Sequence, residues 1–276
     1  MKFWPTGGCV RDIIRGVPIE RIKDVDVALE MEEDDHGDIR APIAVLWLAS
    51  EILESHGFTI HKVHEDTFTI RAGVPEGHYL AQWSRNADFN LTRREGPYSN
   101  GRKPDFVELG DLDDDLRRRD LTMNAIVMHP ETRVLYDPHN GVPDIHKKII
   151  RFVGDPFDRI IEDPSRILRA LRFSLVLGFK LEPHSLHAVR SYAAAQRMAD
   201  RTPVDTKEKE LRRMFSADPI GAIGMLSSMP LHFLEALFEG GVWLDPTHKK
   251  RPHGSNRDVI ETRILWPMPW IEWRSS

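Results

Sequence analysis

The stretch Gly7-Gly8-Cys9-Val10-Arg11-Asp12, followed by Lys23-Asp24-Val25-Asp26-Val27, decides the fold class of this chain. Two glycines let backbone N–H groups approach an anion closely, and a helix that follows presents its positive N-terminus to the same anion. Residues two apart in a strand point the same way, so Asp24 and Asp26 would share one face while the valines face the core. The order predicts a strand, a phosphate-binding turn, a helix and a second strand that carries two carboxylates.

The predicted carboxylate pair suggests metal-dependent chemistry. Hard divalent cations prefer oxygen ligands, and two-metal sites stabilise both the attacking and the leaving oxygen in phosphoryl or nucleotidyl transfer. Each half of the pattern also occurs without function, the Gly-Gly pair as a plain turn and the two aspartates as a solvated acidic pair. Their order and close spacing favour a nucleotidyl-transfer site in which Asp24 and Asp26 hold the metals.

Composition is that of a soluble globular protein without strong charge bias. The 276 residues are 41% hydrophobic and 29% charged, with a formal net charge of −5, which argues against gripping nucleic acid by bulk charge but permits a local basic groove. Cys9 is the single cysteine, so an intramolecular disulfide is excluded and a reducing, cytoplasmic setting is expected. The N-terminus has no signal-peptide pattern and no stretch is long enough to span a membrane, so no membrane partner is expected.

Hydrophobic periodicity predicts an α/β first part and an all-α second part. In the first part we expect a strand, turn, helix and strand within 3–30, with the helix starting at Asp12 and ending at Gly16. The other predicted elements of this part are a helix at 41–56, strands at 58–63, 67–72 and 87–92 with Asp88 on the last, a mobile basic loop at 93–104, and a helix at 112–128. The second part has predicted helices at 156–177, 183–199, 204–215 and 222–238.

A group of polar residues at 118–124 carries two guanidiniums, a carboxylate and an amide, from Arg118, Arg119, Asp120 and Asn124. Such a set could bind a triphosphate and a ribose hydroxyl, because arginine matches phosphate geometry. The alternative is a charged helix face with internal salt bridges.

A second group lies at 162–172. Glu162 and Asp163 are four and three residues before Arg166, so both are its neighbours on one helix face. A carboxylate beside a guanidinium can recognise the hydrogen-bonding edge of a base, and the alternative is a helix-stabilising ion pair. Arg166, Arg169 and Arg172 form a basic stripe that faces either a phosphate backbone or water.

Two further residue types are assigned structural roles. His61 and His64 are expected to be ordinary strand-surface histidines and not metal ligands. Trp243, Trp266, Trp270 and Trp273 are expected to serve packing or an oligomer contact in preference to stacking on bases.

Taken together, the motifs resemble those of class II tRNA nucleotidyltransferases (CCA-adding enzymes) and the related bacterial poly(A) polymerases. The matching segments run in the family's order over about residues 7 to 215: GGCVRD at 7–12, DVD at 24–26, RREGPYSNGRKPDFVE at 93–108, RRDLTMNAI at 118–126, DPHNGVPDI at 137–145 and EDPSRILRALRF at 162–173. The resemblance implies a polymerase beta-like nucleotidyltransferase head with a mixed or antiparallel sheet at 1–130. A helical neck that recognises the base would follow at 131–200, and a partial helical body at 201–276.

The resemblance also implies roles for individual residues. Asp24 and Asp26 would bind two Mg²⁺ ions, and Asp88 would be the acidic residue of the neighbouring strand. The residues expected at the nucleotide are Gly7, Gly8, Arg11 and Asp12 at the triphosphate, Arg119, Asp120 and Asn124 at phosphate or ribose, and Glu162, Asp163, Arg166 and Arg169 on the neck, with Asp163 and Arg166 at the base. The loop at 93–104 would support the switch from CTP to ATP.

The implied activity is template-independent addition of CCA to the 3′ end of tRNA from CTP and ATP. The first alternative is a poly(A) polymerase or an enzyme of the same fold that adds only A or only CC. The second is an RNA-binding protein that kept the fold without turnover, and the third is a nucleotidyltransferase that acts on a small molecule or a protein. Asp24 and Asp26 argue against loss of turnover, and the 93–104 loop favours full CCA addition. The oligomeric state is left open.

Overall fold

The computed structural model describes residues 1–22, 24–32, 35, 37, 41–99 and 104–242. The four tryptophans from Trp243 to Trp273, and the predictions made for them, lie outside the described residues. No helix in the described ranges is long and apolar enough to cross a membrane.

A seven-stranded mixed sheet forms the first part of the chain, in the order β3-β4-β5-β2-β1-β8-β9. Its strands are β1 (Lys2–Thr6), β2 (Val25–Glu30), β3 (Thr59–His64), β4 (Thr69–Gly73), β5 (Asn86–Leu91), β8 (Val127–Met128) and β9 (Leu135–Tyr136). The central pair β2 and β5 is parallel and the other pairs are antiparallel. Of the two predicted alternatives, a mixed or an antiparallel sheet, the structure has the mixed one.

Helices dominate after the sheet, as predicted. The helices are α1 (Gly8–Ile14), α2 (Pro42–Ser55), α3 (Leu112–Arg117), α4 (Gly141–Lys147), α5 (Pro156–Glu162), α6 (Ser165–Leu177), α7 (Pro183–Val189), α8 (Tyr192–Arg201), α9 (Val204–Ala217), α10 (Pro219–Ser227) and α11 (Leu231–Phe238). Two short strand pairs lie outside the large sheet, the antiparallel β6 (Arg93–Glu95) and β7 (Val107–Leu109), and the parallel β10 (Ile149–Ile150) and β11 (Lys180–Leu181).

The alternation of residues along β1 and β2 places Asp26 beside the Gly-Gly turn. Val25, Val27 and Leu29 are buried on one side of the strand, whereas Asp26 is on the other side and only half-buried. Strand β1 pairs with β2 so that Thr6 lies opposite Asp26. The Gly-Gly turn directly follows Thr6, so alternation along two strands brings the turn to the carboxylate.

The predicted helix at 112–128 is wrong beyond Arg117. After α3 the chain extends at Leu121, forms a 3-10 turn at Thr122–Asn124 and enters β8. Leu121 bridges to Phe152, and the N–H of Thr122 donates to the carbonyl of Arg151 at 2.9 Å. Pairing with this distant segment outcompetes the local helical preference.

Three predicted long helices are each two shorter ones. The segment 156–177 breaks where Asp163 is extended before Pro164, and 222–238 breaks before Pro230, because a proline excludes the helical conformation of the residue before it. The segment 183–199 breaks at Ser191, whose side chain accepts a hydrogen bond from the N–H of Ala194 and caps α8.

Smaller differences concern the ends of elements and one helix. Helix α1 begins at Gly8, before the predicted start at Asp12. The predicted loop at 93–104 is wrong at its start, because 93–95 form β6 paired with β7, and residues 100–103 lie outside the described residues.

Helix α4 was not predicted. The carboxylate of Asp137 accepts hydrogen bonds from the N–H groups of Gly141 and Val142 at its start, at 2.7 and 2.8 Å. The boundaries at 130 and 200 stay predictions, since residues 1–242 form one compact unit.

Candidate functional site

Three carboxylates lie at one end of the parallel strands β2 and β5. Asp26 and Asp88 are register partners across these strands, and Asp24 is exposed just before β2 begins. Burial raises the pKa of Asp26; Arg119 opposes this, and the charges of Asp88 and Asp24 raise the pKa further. The structure therefore brings together the three acids that the sequence nominated, and their mutual repulsion favours a bound cation.

The Gly-Gly turn reaches this carboxylate group through its first glycine. Gly7 has a φ of 69° and a ψ of −132°, a conformation that residues with a side chain rarely adopt. A Cβ built on Gly7 would lie 3.5 Å from both Asp26 Oδ2 and Arg119 Nη1. A glycine here leaves a cradle between an acid and a guanidinium, as a metal-bound phosphate requires.

The donor chemistry of this group fits Mg²⁺. All three candidate ligands are carboxylates, and Mg²⁺ commonly takes one or two protein carboxylates and completes its shell with waters and substrate phosphates. Among the described residues, no cluster of three or more histidine, cysteine or acidic side chains is arranged to hold a metal by itself. A few carboxylates beside an open phosphate space suit a metal whose other ligands come from a bound triphosphate. Arg71 Nη1 lies 3.5 Å from Asp88 Oδ2.

A buried acid that the sequence reasoning missed organises the arginines of 118–124. Asp115 is fully buried; its Oδ1 accepts hydrogen bonds from Arg118 Nε and Nη2 at 3.0 and 2.5 Å, and its Oδ2 accepts one from Arg119 Nη2 at 2.8 Å. Arg119 Nη1 also donates to the carbonyl of Asn124 at 2.9 Å. Burial raises the pKa of Asp115, but the two arginines outweigh it and hold the pKa below its ordinary value. The spacing of three and four residues between Asp115 and these arginines was the available signal.

A chain of hydrogen bonds joins the turn to helix α6. Arg11 donates from Nε and Nη2 to the two carboxylate oxygens of Asp12, each at 3.0 Å, and from Nη1 to Asn124 Oδ1 at 3.0 Å. Asn124 Nδ2 donates to Asp120 Oδ1 at 3.3 Å, and Arg169 Nε donates to Asp120 Oδ2 at 2.7 Å. Five residues predicted at the nucleotide thus form one connected network. The Nε, Nη1 and Nη2 groups of Arg11 all donate to neighbouring side chains. This geometry is that of a residue that holds the Gly-Gly turn in place.

Asp120 is the electrostatic centre of that network. Burial raises its pKa, but the charge and hydrogen bonds of Arg169, helped by Asn124, lower the pKa to about 2. Asp120 is therefore ionised throughout the physiological range, and it ties the head residues to α6.

Asp163 and Arg166, the two residues predicted at the base, and Glu162, which was expected to orient Arg166, lie where α5 ends and α6 begins. Arg166 is buried, and its Nη1 donates to Glu162 Oε2 at 2.6 Å while its Nη2 donates to the carbonyl of Arg118 at 3.0 Å. Asp163 Oδ1 accepts a hydrogen bond at 2.9 Å from the N–H of Ser165, the first residue of α6. Arg166 also lines a cavity of about 330 Å³ whose other walls are Asp66, Phe68, Arg93, Glu95, Tyr98, Pro104, Val107 and Arg118.

Known proteins match both the sequence and the fold. The family model described as "Poly A polymerase head domain" matches residues 3–151. A CCA-adding enzyme of Geobacillus thermodenitrificans is 33% identical over 242 residues, covering 86% of this chain and 52% of the relative. One from Bacillus subtilis is 36% identical over 148 residues, covering 53% of this chain and 36% of the relative.

Solved structures of similar fold include a Bacillus stearothermophilus CCA-adding enzyme in complex with CTP, with a TM-score of 0.62 at 26% identity over 87% of this chain and 50% of that one. A tRNA nucleotidyltransferase complexed with a primer tRNA and an incoming ATP analog gives a TM-score of 0.62 at 26% identity over 88% of this chain and 60% of that one. The chain thus spans about half the length of these relatives.

Proposed function

This chain belongs to the poly(A) polymerase head-domain family, and from that premise we propose that it is a template-independent RNA nucleotidyltransferase that adds CCA to the 3′ end of tRNA. The observation that carries the proposal is the position of Gly7 between Asp26 and Arg119, with Asp88 paired opposite Asp26. One small site then offers carboxylates for a metal, a close backbone approach for a phosphate and a guanidinium for its charge.

The residues of the site divide the work of nucleotidyl transfer. Asp24, Asp26 and Asp88 would hold divalent metal, proposed as two Mg²⁺ ions, which when bound lower the pKa of an attacking hydroxyl and neutralise charge at the phosphates. Gly7 leaves room for the triphosphate beside those acids, and Arg119, held by Asp115, faces the same space. The RNA 3′-hydroxyl would attack the α-phosphate and release pyrophosphate.

Base selection is proposed for the second group of residues. Glu162 fixes one nitrogen of Arg166 and the carbonyl of Arg118 fixes another, so the guanidinium is held in one orientation beside the cavity. A fixed guanidinium with the neighbouring Asp163 presents donors and an acceptor to a base edge. Cytosine and adenine share an amino group next to a ring nitrogen, so such a pair favours CTP and ATP over UTP and GTP.

The relatives support tRNA and both nucleotides as substrates. CCA-adding enzymes are among the matched proteins, and similar structures contain CTP, or a primer tRNA with an ATP analog. The family model names poly(A) polymerase, so a poly(A) polymerase or a partial A- or CC-adding enzyme is the alternative with the same site. We also propose that the protein is cytoplasmic, where its proposed tRNA substrate is found.

The deciding experiment offers the protein Mg²⁺ and labelled CTP or ATP with tRNAs that end before the first C, after the second C, or with complete CCA. Addition of C, C and then A, stopping at CCA, supports the proposal. Runs of A on any RNA support poly(A) polymerase. Bound tRNA without incorporation supports a non-catalytic RNA-binding protein. Asp26→Asn should lower incorporation by about 100-fold or more, and Glu51→Gln on the exposed face of α2 is the matched control.

A further inference from the structure

One face of helix α6 lies against the residues of the Gly-Gly turn. Arg166, Arg169 and Phe173 follow the spacing of one helix face, and each contacts the first part of the chain. Arg166 donates to the carbonyl of Arg118, and Arg169 to Asp120. The guanidinium carbon of Arg11 lies 5.2 Å from the centre of the Phe173 ring. The mechanism uses the first two of these residues and leaves Phe173 without a role.

Phe173 has a second cation beside it. The guanidinium carbon of Arg172 is 4.0 Å from the centre of the same ring. Arg172 Nε donates to Glu210 Oε2 at 2.6 Å, and Arg213 Nη1 donates to Glu210 Oε1 at 3.0 Å. Glu210 belongs to α9 and is only 4% exposed. A buried carboxylate of a distant helix therefore holds the cation that packs on the ring.

Electrostatics explains why this acid is needed. An aromatic ring attracts a guanidinium through its negative face, but two guanidiniums on one ring repel each other. Glu210 neutralises Arg172, so the ring remains available to Arg11. Removing the acid would leave the partly buried Arg172 without its carboxylate partner, which is costly, and it would disturb the ring on which Arg11 packs.

We propose that Phe173, held by Arg172 and Glu210, is a positioning residue for Arg11 and through it for the turn that binds the triphosphate. Glu210 then tunes triphosphate binding without touching the nucleotide. The inference rests on the proposed function. Because CTP and ATP carry the same triphosphate, the effect must be equal for both nucleotides, whereas a change at Arg166 must depend on the base.

The first test is Phe173→Leu, which removes the ring and keeps an apolar side chain. The KM for CTP and for ATP should rise by the same factor, about three- to tenfold, which is the loss expected for one cation–π contact. The preference for C and A over U and G should not change. Phe173→Tyr keeps the aromatic ring, so its KM for both nucleotides should be that of the unmodified protein. Phe157→Leu, which removes a ring packed against His184 and His187 on α7, is the matched control and should leave the KM unchanged.

A binding measurement separates this inference from the proposed function. Calorimetry with CTP and with CMP should show that Phe173→Leu weakens CTP binding and leaves CMP binding as in the unmodified protein. If the unmodified protein binds CTP but incorporates nothing, the proposed function fails, and the comparison of CTP with CMP still decides the inference. An equal loss for CTP and CMP, a change confined to one nucleotide, or the same loss in Phe157→Leu would overturn it.

The second test acts on the distant acid. Glu210→Gln keeps the shape of the side chain and removes its charge, so the KM for both nucleotides should rise by about threefold, since charge-assisted hydrogen bonds are roughly twice as strong as neutral ones. Asp205→Asn, which removes an exposed acid from the first turn of the same helix, is the control and should leave both KM values unchanged. An unchanged KM in Glu210→Gln, with normal folding, would contradict the role of Glu210.

Discussion

Gly7 has a φ of 69°, and a Cβ on it would lie in van der Waals contact with Asp26, 3.5 Å from Oδ2. Gly7→Ala places a methyl group in the proposed phosphate space and forces a strained backbone conformation. Strain of this kind costs about 1–3 kcal/mol, so we expect a loss of stability of that size in urea unfolding and a loss of incorporation. Gly8→Ala is the control, because Gly8 has no positive φ and its nearest contact would be an ordinary 3.6 Å. Equal stability of the two variants would contradict the assigned strain.

Asp26→Asn should separate activity from stability. Burial and two neighbouring acids raise the pKa of Asp26 in the folded protein, so the charged form destabilises the fold at neutral pH, and the penalty is relieved as the pH falls through the folded pKa. The melting temperature of the variant at pH 7 should therefore be unchanged or higher. Its incorporation should fall by about 100-fold or more, because a proposed metal ligand is lost. A lower melting temperature at pH 7 would show that the carboxylate has a stabilising role.

The sequence predicted the parts of the site that depend on local order. The Gly-Gly turn, the strand with Asp26 and the strand with Asp88 each follow from alternation and turn chemistry within a few residues. The prediction that Asp24 lies on the same strand is wrong, because β2 begins one residue later, at Val25. Pro164 even marks the break before α6, although the prediction ran one helix through it. These features are local because a strand or a turn is specified by its own residues.

The connections between the parts could not be predicted in the same way. The bond from Arg11 to Asn124 spans 113 residues, and that from Arg169 to Asp120 spans 49. The hydrophobic periodicity of one segment does not specify which distant segment will hydrogen-bond to its charged side chains. The same limit explains the wrong helix after Arg117, where pairing of Leu121 with Phe152 overrides local preference.

Asp120→Asn tests the centre of this network through its pH dependence. The pKa of Asp120 is lowered from 3.8 to about 2, so its charge stabilises the folded protein above pH 4, and this stability is lost as the pH falls towards 2. The lowering corresponds to about 2 kcal/mol. In urea unfolding the variant should be less stable by about that amount from pH 7 to 5, and the difference should shrink below pH 4. A difference that does not depend on pH would assign the effect to packing alone.

Arg166→Lys tests base selection while keeping the positive charge. Lysine cannot hold a planar pair of donors between Glu162 and the carbonyl of Arg118, so the fixed orientation beside the cavity is lost. One bidentate pair with a base contributes about 1–3 kcal/mol of discrimination, so the preference for CTP and ATP over UTP and GTP should fall by about tenfold to 100-fold. The measurement is kcat/KM for each of the four nucleotides on tRNA that lacks CCA.

Glu162→Gln should shift the nucleotide preference in the same direction but by a smaller factor, because it weakens the hydrogen bond that orients Arg166 and keeps the guanidinium. If Arg166→Lys lowers all four values equally and leaves the order of C and then A intact, the base is selected elsewhere.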